Sequence, residues 1–192
     1  MNYKKLLSRV IGILTNPTNT WKEIDEEKET IDVQSTFVYP MIALCGLAMF
    51  VGMLFGNGVD TFNLQVVLTK CCGLFVSLFG GYFLSSYLIN HFIHYIIGEI
   101  EIEDKTLKTN KLVGYSMGVT FVLHIFSSLL PSLLILRWIL QFYTVFIVWE
   151  GAKELMKVAE NKLLSYTITT SIIILVTPAI MGKVFALLCN FG

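Results

Sequence analysis

Residues Ser35 to Phe55 read STFVYPMIALCGLAMFVGMLF, without one Asp, Glu, Lys, Arg or His. At 1.5 Å per helical residue the run covers about 30 Å, the thickness of a bilayer's hydrocarbon core. Lipid offers no hydrogen bonds to the backbone, so such a segment crosses as a helix whose amides pair internally. Beyond it, Asn57-Gly58-Val59-Asp60 marks a turn, and a second apolar stretch runs from Phe62 to Ile97. That stretch exceeds one bilayer crossing, so it must tilt, protrude or break, with Gly73, Gly80 and Gly81 as weak points.

Gly98 to Lys111 reads as a charged loop, followed by a third span over Leu112 to Leu130 and a fourth over Ser132 to Trp149. Pro131 between them leaves room only for an antiparallel hairpin. Glu150 to Lys162 is polar, and Leu163 to Leu188 makes a fifth span with a kink expected at Pro178. The fold class is therefore all-α: a polytopic membrane helix bundle with five transmembrane helices. Its organisation is an amino-terminal cytoplasmic segment, residues 1–34, and a transmembrane domain, residues 35–192.

In the amino-terminal segment Leu6, Leu7, Val10, Ile11, Ile13 and Leu14 fall on one helical face and Lys4, Lys5, Ser8 and Arg9 on the other. This is the pattern of an amphipathic interfacial helix lying on the membrane surface. Pro17 stops it. Thr20-Trp21-Lys22-Glu23 has the spacing of a capping box at the start of a second helix, leaving Trp21 to anchor among the headgroups.

The totals agree: 55% of residues are apolar and 15% charged, with mean hydropathy +0.69. Basic and acidic residues, 14 of each, cancel, so nothing points to a nucleic-acid partner. Placement is more telling. Lys4, Lys5, Arg9, Lys22, Lys28, Lys105, Lys108, Lys111, Lys153, Lys157 and Lys162 fall on one side of the five-span scheme, against Lys70, Arg137 and Lys183 on the other. The positive-inside bias then makes the amino terminus cytoplasmic and the carboxyl terminus opposite, in the inner membrane for a bacterial protein.

Several short motifs carry a family resemblance. Ile11-x-x-x-Thr15-Asn16-Pro17-x-x-Thr20-Trp21-x-x-Ile24, Val113-Gly114-Tyr115-Ser116, and Tyr143 with Gly151-Ala152-Lys153-Glu154-Leu155-Met156 resemble, in order, the "NP...TW..I", "GYS" and "Y......G...LM" elements of the Yip1 family of five-span membrane proteins. The family often has a proline after GYS, where Met117, Gly118, Val119 and Thr120 stand here. The resemblance implies a membrane-trafficking or envelope-associated role, since eukaryotic relatives act in vesicle traffic with small GTPases.

Candidate sites are few. Ala48, Gly52 and Gly56 recur every fourth residue, as do Ser77, Gly81 and Ser85, and Gly114 with Gly118. Such residues let helices approach closely, within one bundle or between copies. Lys70, Arg137 and Lys183 lie near the outer ends of their spans, where they either reach separately to headgroups or converge on a lipid phosphate or other anion. His91 and His94 share a helix face, but His124 lies thirteen residues past Lys111, about 20 Å deeper, so no metal site is expected. Cys45, Cys71, Cys72 and Cys189 read as core residues, without a disulfide or zinc spacing. No HExxH element, buried carboxylate pair or phosphate loop stands in the spans, so no catalytic residue and no cofactor is assigned. The sequence supports a non-enzymatic protein that organises or binds membrane components, with membrane lipids, other membrane proteins or a second copy as partners. The alternatives are a small transporter or channel, suggested by Pro178 and Gly80-Gly81, and an intramembrane enzyme, suggested only by the histidines.

Overall fold

Asp32 starts the first spanning helix: its carboxylate accepts from the amides of Gln34 (3.0 Å) and Ser35 (3.2 Å), meeting donors that have no intrahelical partner. The first turn, Gln34–Val38, is a π-helix that passes into α3, Tyr39–Gly56. The wide turn sits just where Pro40 would otherwise press on the carbonyl four residues earlier. The structure, a computed structural model, describes residues 3–27, 32–56, 63–97 and 105–190. The turn expected at Asn57 to Asp60 lies outside the described residues.

The other helices are α1 Tyr3–Thr15, α2 Pro17–Glu26, α4 Leu64–Ile97, α5 Lys105–Ser116, α6 Gly118–Leu129, α7 Leu134–Leu140, α8 Tyr143–Glu154 and α9 Glu160–Asn190, with a short 3-10 turn at Pro131–Leu133 before α7. The described residues contain no strand. Four helical stretches are long and apolar enough to cross a membrane: Gln34–Phe55, Leu64–Phe92, Lys105–Leu129 and Glu160–Cys189. The segment expected as a fourth span is divided into α7 and α8 by a tightened turn at Gln141 and Phe142. Neither piece alone reaches the roughly 20 residues a crossing needs.

Two expectations are corrected. The long second stretch does not break: α4 is unbroken over 34 residues, and its glycines receive α9, Gly73 facing Phe185, Gly80 facing Met181 and Gly81 facing Pro178. The presumed loop before the third span is helical from Lys105, and Lys111 is buried. The third span stands as one stretch: a single turn residue, Met117, parts α5 from α6, and Met117 N and Phe121 N keep their bonds to Val113 O and Met117 O at 2.9 Å.

Contacts along each pair give the directions of the helices. Phe37 lies against Gly118, the Cys45 thiol donates to Phe121 O at 3.3 Å and Gly52 abuts the backbone of Ser128, so α3 and α6 run the same way. Tyr39 packs on Phe79 and Cys71 donates to Gly46 O, so α4 runs against α3. Along α9, Ser77 donates to Pro178 O at 2.6 Å, Ser85 meets Thr177 and Gly73 meets Phe185, so α9 opposes α4. Arg137 reaches His124 and Gly151 abuts Leu112, so α7 and α8 together run back along α6 and α5.

The core gathers at the end where α1 and α2 dock. Every residue from Lys111 to Phe121 is buried, which makes the α5–α6 junction the post around which the π-turn, α1, α4 and α8 pack. Packing at the other end is closer still: a side chain at Gly52 would drive into the carbonyl of Ser128, whereas one at Gly118 would only touch Phe37 at 3.4 Å. Gly52→Ala is therefore expected to destabilise by about 1–3 kcal/mol, the usual cost of overpacking, while Gly118→Ala is tolerated. Thermal unfolding of the two variants in detergent checks this, and equal melting temperatures would refute it.

Candidate functional site

The three short motifs meet in space. Asn16 ends α1 and caps α2, its side-chain oxygen accepting from Asn19 N at 3.4 Å, and Pro17 fills the first helical position, where a missing amide costs nothing. Helix α2 therefore begins three residues before the Thr20 capping box. Thr20 lies inside the helix, donating to Asn16 O at 2.8 Å and pressing on Gly12, where a Cβ would come within 2.7 Å of its hydroxyl. This contact closes α1 and α2 into a hairpin.

Trp21 is fully buried and does not reach the headgroups. Its indole donates to Ile147 O at 3.1 Å, its ring fills the space above Gly151, and its edge meets Tyr115 at 6.0 Å between centroids. Tyr115 also packs on Phe37 at 4.7 Å. Gly114 beside it lies against Val33 and Val38. Tyr143 donates to Leu14 O at 3.1 Å, and Leu155 and Met156 close the floor, both buried. The first motif is the hairpin itself, and the second and third supply walls of the single socket that receives it.

Charge locks the rim. Arg9 pairs with Glu27 at 2.6 Å and Glu23 at 3.3 Å while its guanidinium lies over Tyr115, and Lys5 pairs with Glu27 at 2.8 Å. Asp25 accepts from Lys108 at 3.0 Å and from Lys157 at 2.9 Å, tying α2 to the start of α5 and to the α8–α9 link. Lys157 holds the left-handed backbone (φ 51°) that glycine usually occupies after a helix. Thr18 donates to Glu150 at 2.8 Å. Burial works to raise the Asp25 carboxyl, but hydrogen bonds from Lys157 and Lys108, with their charges, outweigh it and hold it below its ordinary 3.8.

A second feature lies on the lateral surface. A mainly apolar cavity of about 560 Å³ runs between α6, α7 and the start of α8, with Leu14 of α1 at one end and Arg137 in its wall. Arg137 donates to His124 Nε2 at 3.1 Å. Lys70 and Lys183 are exposed on α4 and α9, a different pair of helices from that which carries Arg137. Ala48 is buried on α3, Gly52, Gly114 and Gly118 face neighbouring helices as given above, and Gly56 ends α3. His91 stacks on Tyr87, far along the chain from His124; the His94 side chain lies outside the described residues. Cys45 and Cys71 are buried, Cys72 and Cys189 exposed. Sequence reading missed the socket because its members are spread over more than 130 residues; the one signal was that Trp21, Tyr115, Tyr143, Gly151, Leu155 and Met156 belong to the three motifs, whereas Val33, Phe37 and Val38 do not.

The Yip1 domain family model matches residues 11–181. No curated protein matches the chain, and no solved structure does.

Because the folded-state value of Asp25 is depressed, its stabilisation of the docked hairpin is full above the ordinary value of 3.8 and is lost as pH falls through the lower folded-state value. Hydrogen exchange of the α2 amides, or limited proteolysis at α1–α2, should find Asp25→Asn less protected than wild type near neutral pH. The gap should close in acid, with Trp21→Ala as the undocked reference. A gap that stays constant through the acid range would refute the role given to Asp25.

Proposed function

The chain belongs to the Yip1 family, and from that premise we propose that this integral, multi-pass membrane protein crosses the bilayer five times and binds and organises membrane components without catalysis. Lipids are the first such component; other membrane proteins or a second copy are further partners. A role in membrane trafficking or the cell envelope accords with the family, which is not known for enzymes.

The five-span reading is supported by helix direction. α7 and α8 follow α6 and α5 back over the whole distance from His124 to Leu112, so the two short helices together do the work of one span. Orientation is supported by the ion pairs: Asp25 of the amino-terminal segment meets both Lys108 and Lys157, so three basic segments share one end of the bundle, the end the positive-inside bias assigns to the cytoplasm.

The observation that carries the functional reading is the socket. It holds a helical hairpin rigidly across the bundle's basic end, while Tyr3, Leu7 and Ile11, four residues apart, form an exposed apolar stripe on the outer face of α1. That stripe with neighbouring Lys4 and Lys5 suits a helix lying in the plane of the membrane boundary. The exposed remainder of α2, including Lys22 and Glu26, is a fixed cytoplasmic contact surface.

A second reading, a small transporter or channel, is favoured by one observation. Asn90, Thr144 and Thr167 have buried side-chain polar atoms with no partner among the described residues, and buried polar groups call for water or a polar solute. Uptake of labelled ions or small solutes into proteoliposomes tests it, and tightness equal to protein-free vesicles across such a panel would remove it.

Topology is tested after replacing the four native cysteines. A cysteine at Ser132, exposed at the turn before α7, should react with an impermeant thiol reagent in intact cells, and one at Asn161 only after the membrane is opened. Labelling of both from the same side would mean that α7 and α8 do not cross.

A further inference from the structure

The cavity beside α6 and α7 combines two properties that are costly apart. Its lining is apolar, with Val122, Leu123, Phe126 and Leu140 prominent, yet the guanidinium of Arg137 stands in its wall. Arginine cannot accept a hydrogen bond, so in the 3.1 Å contact with His124 Nε2 the guanidinium donates and the imidazole is neutral with its proton on Nδ1. That contact satisfies one donor of five and none of the charge. Among the described residues no carboxylate pairs with Arg137, and a cation within a span needs an anion or water at hand. Arg137 lies seven residues past Leu130 at the α6–α7 turn, about 10 Å along a helix, within the reach of a headgroup phosphate drawn in beside it.

Phe126 and Leu140, both exposed, flank the opening, so the cavity faces the medium that surrounds the spans, and that medium is lipid. We propose that this groove is a binding site for one anionic phospholipid, with the phosphate on Arg137 and an acyl chain lying along α6 toward Leu14 and Tyr143. His124 is a positioning residue that aims the guanidinium. The proposal rests on the membrane-protein reading above and gives it a specific ligand. It assigns the anion site to Arg137 alone, on a different helix pair from Lys70 and Lys183.

The test uses the full chain in neutral detergent with phosphatidylglycerol or phosphatidylcholine of matched chains added, and bound lipid counted by native mass spectrometry. Wild type should hold one phosphatidylglycerol in preference to phosphatidylcholine by about tenfold, because both offer Arg137 a phosphodiester but choline brings a second cation close to the guanidinium. Arg137→Gln should lose that preference, Arg137→Lys should keep part of it, and Lys183→Gln should leave it intact. Val122→Phe, which fills the groove but keeps the charge, should weaken retention of both lipids. Melting temperatures of all variants separate loss of binding from loss of fold. Equal retention by wild type and Arg137→Gln overturns the site, and so does a Lys183→Gln effect as large as that of Arg137→Gln. Displacement of the lipid by millimolar inorganic phosphate, with Val122→Phe behaving as wild type, would mean a simple anion site and overturn the acyl-chain assignment. None of these failures touches the five-span reading, which the Ser132 and Asn161 labelling decides separately.

Discussion

The indole of Trp21, donating to Ile147 O from a fully buried position, is the contact on which the rest of the basic end depends. A large aromatic buried with its one donor satisfied contributes both packing and orientation. The ring needs a flat recess, which Gly151 provides by having no side chain, and a partner edge, which Tyr115 provides. Once Trp21 is seated, α2 has one position relative to α8, and Asp25 falls between Lys108 and Lys157. These ion pairs are partly exposed and individually weak. Their role is to select the docking already made by Trp21 and Ile24, not to drive it.

Away from this end the bundle is held by closeness. In lipid there is little hydrophobic gain from bringing helices together, so backbone approach and side-chain hydrogen bonds decide. Gly52 against Ser128 draws α3 and α6 together, and Gly81 against Pro178, with Ser77 bonded to the proline carbonyl, does the same for α4 and α9. The proline does not break α9; its neighbour Thr177 lies within bonding distance of Ile173 O at 2.8 Å and Gly81 O at 3.2 Å. The tight pairs leave α7 packed chiefly on α6, and the space between them is the groove that carries Arg137.

The two groups of charges therefore have different physics. At the basic end Lys5, Arg9, Lys108 and Lys157 meet carboxylates across helix termini, in reach of water. Arg137 sits inside an apolar wall with a neutral imidazole as its partner, where the absence of a counter-charge among the described residues creates a demand that a lipid phosphate can meet.

The apolar runs of Ser35 to Phe55, with no charge, and of Leu163 to Leu188, with Lys183 alone near its end, determined by themselves that this is a helical membrane protein, because segments so long and so apolar have one stable solvent and one backbone solution in it. Order in the three motifs likewise led to the family. What the sequence could not decide was which face of each motif points where. Leu6, Leu7, Val10 and Ile11 read as one apolar face, yet Leu6 and Val10 bury against the bundle while Leu7 and Ile11 face outward, since a helix between a protein and a membrane has two apolar surroundings. Trp21 read as a headgroup anchor and is a core residue, since its burial depends on a glycine 130 positions away. Gly73, Gly80 and Gly81 read as weak points in α4 and are landing sites for α9. In each case the residue type sets what contacts are possible, and only the tertiary structure supplies the neighbour that chooses among them.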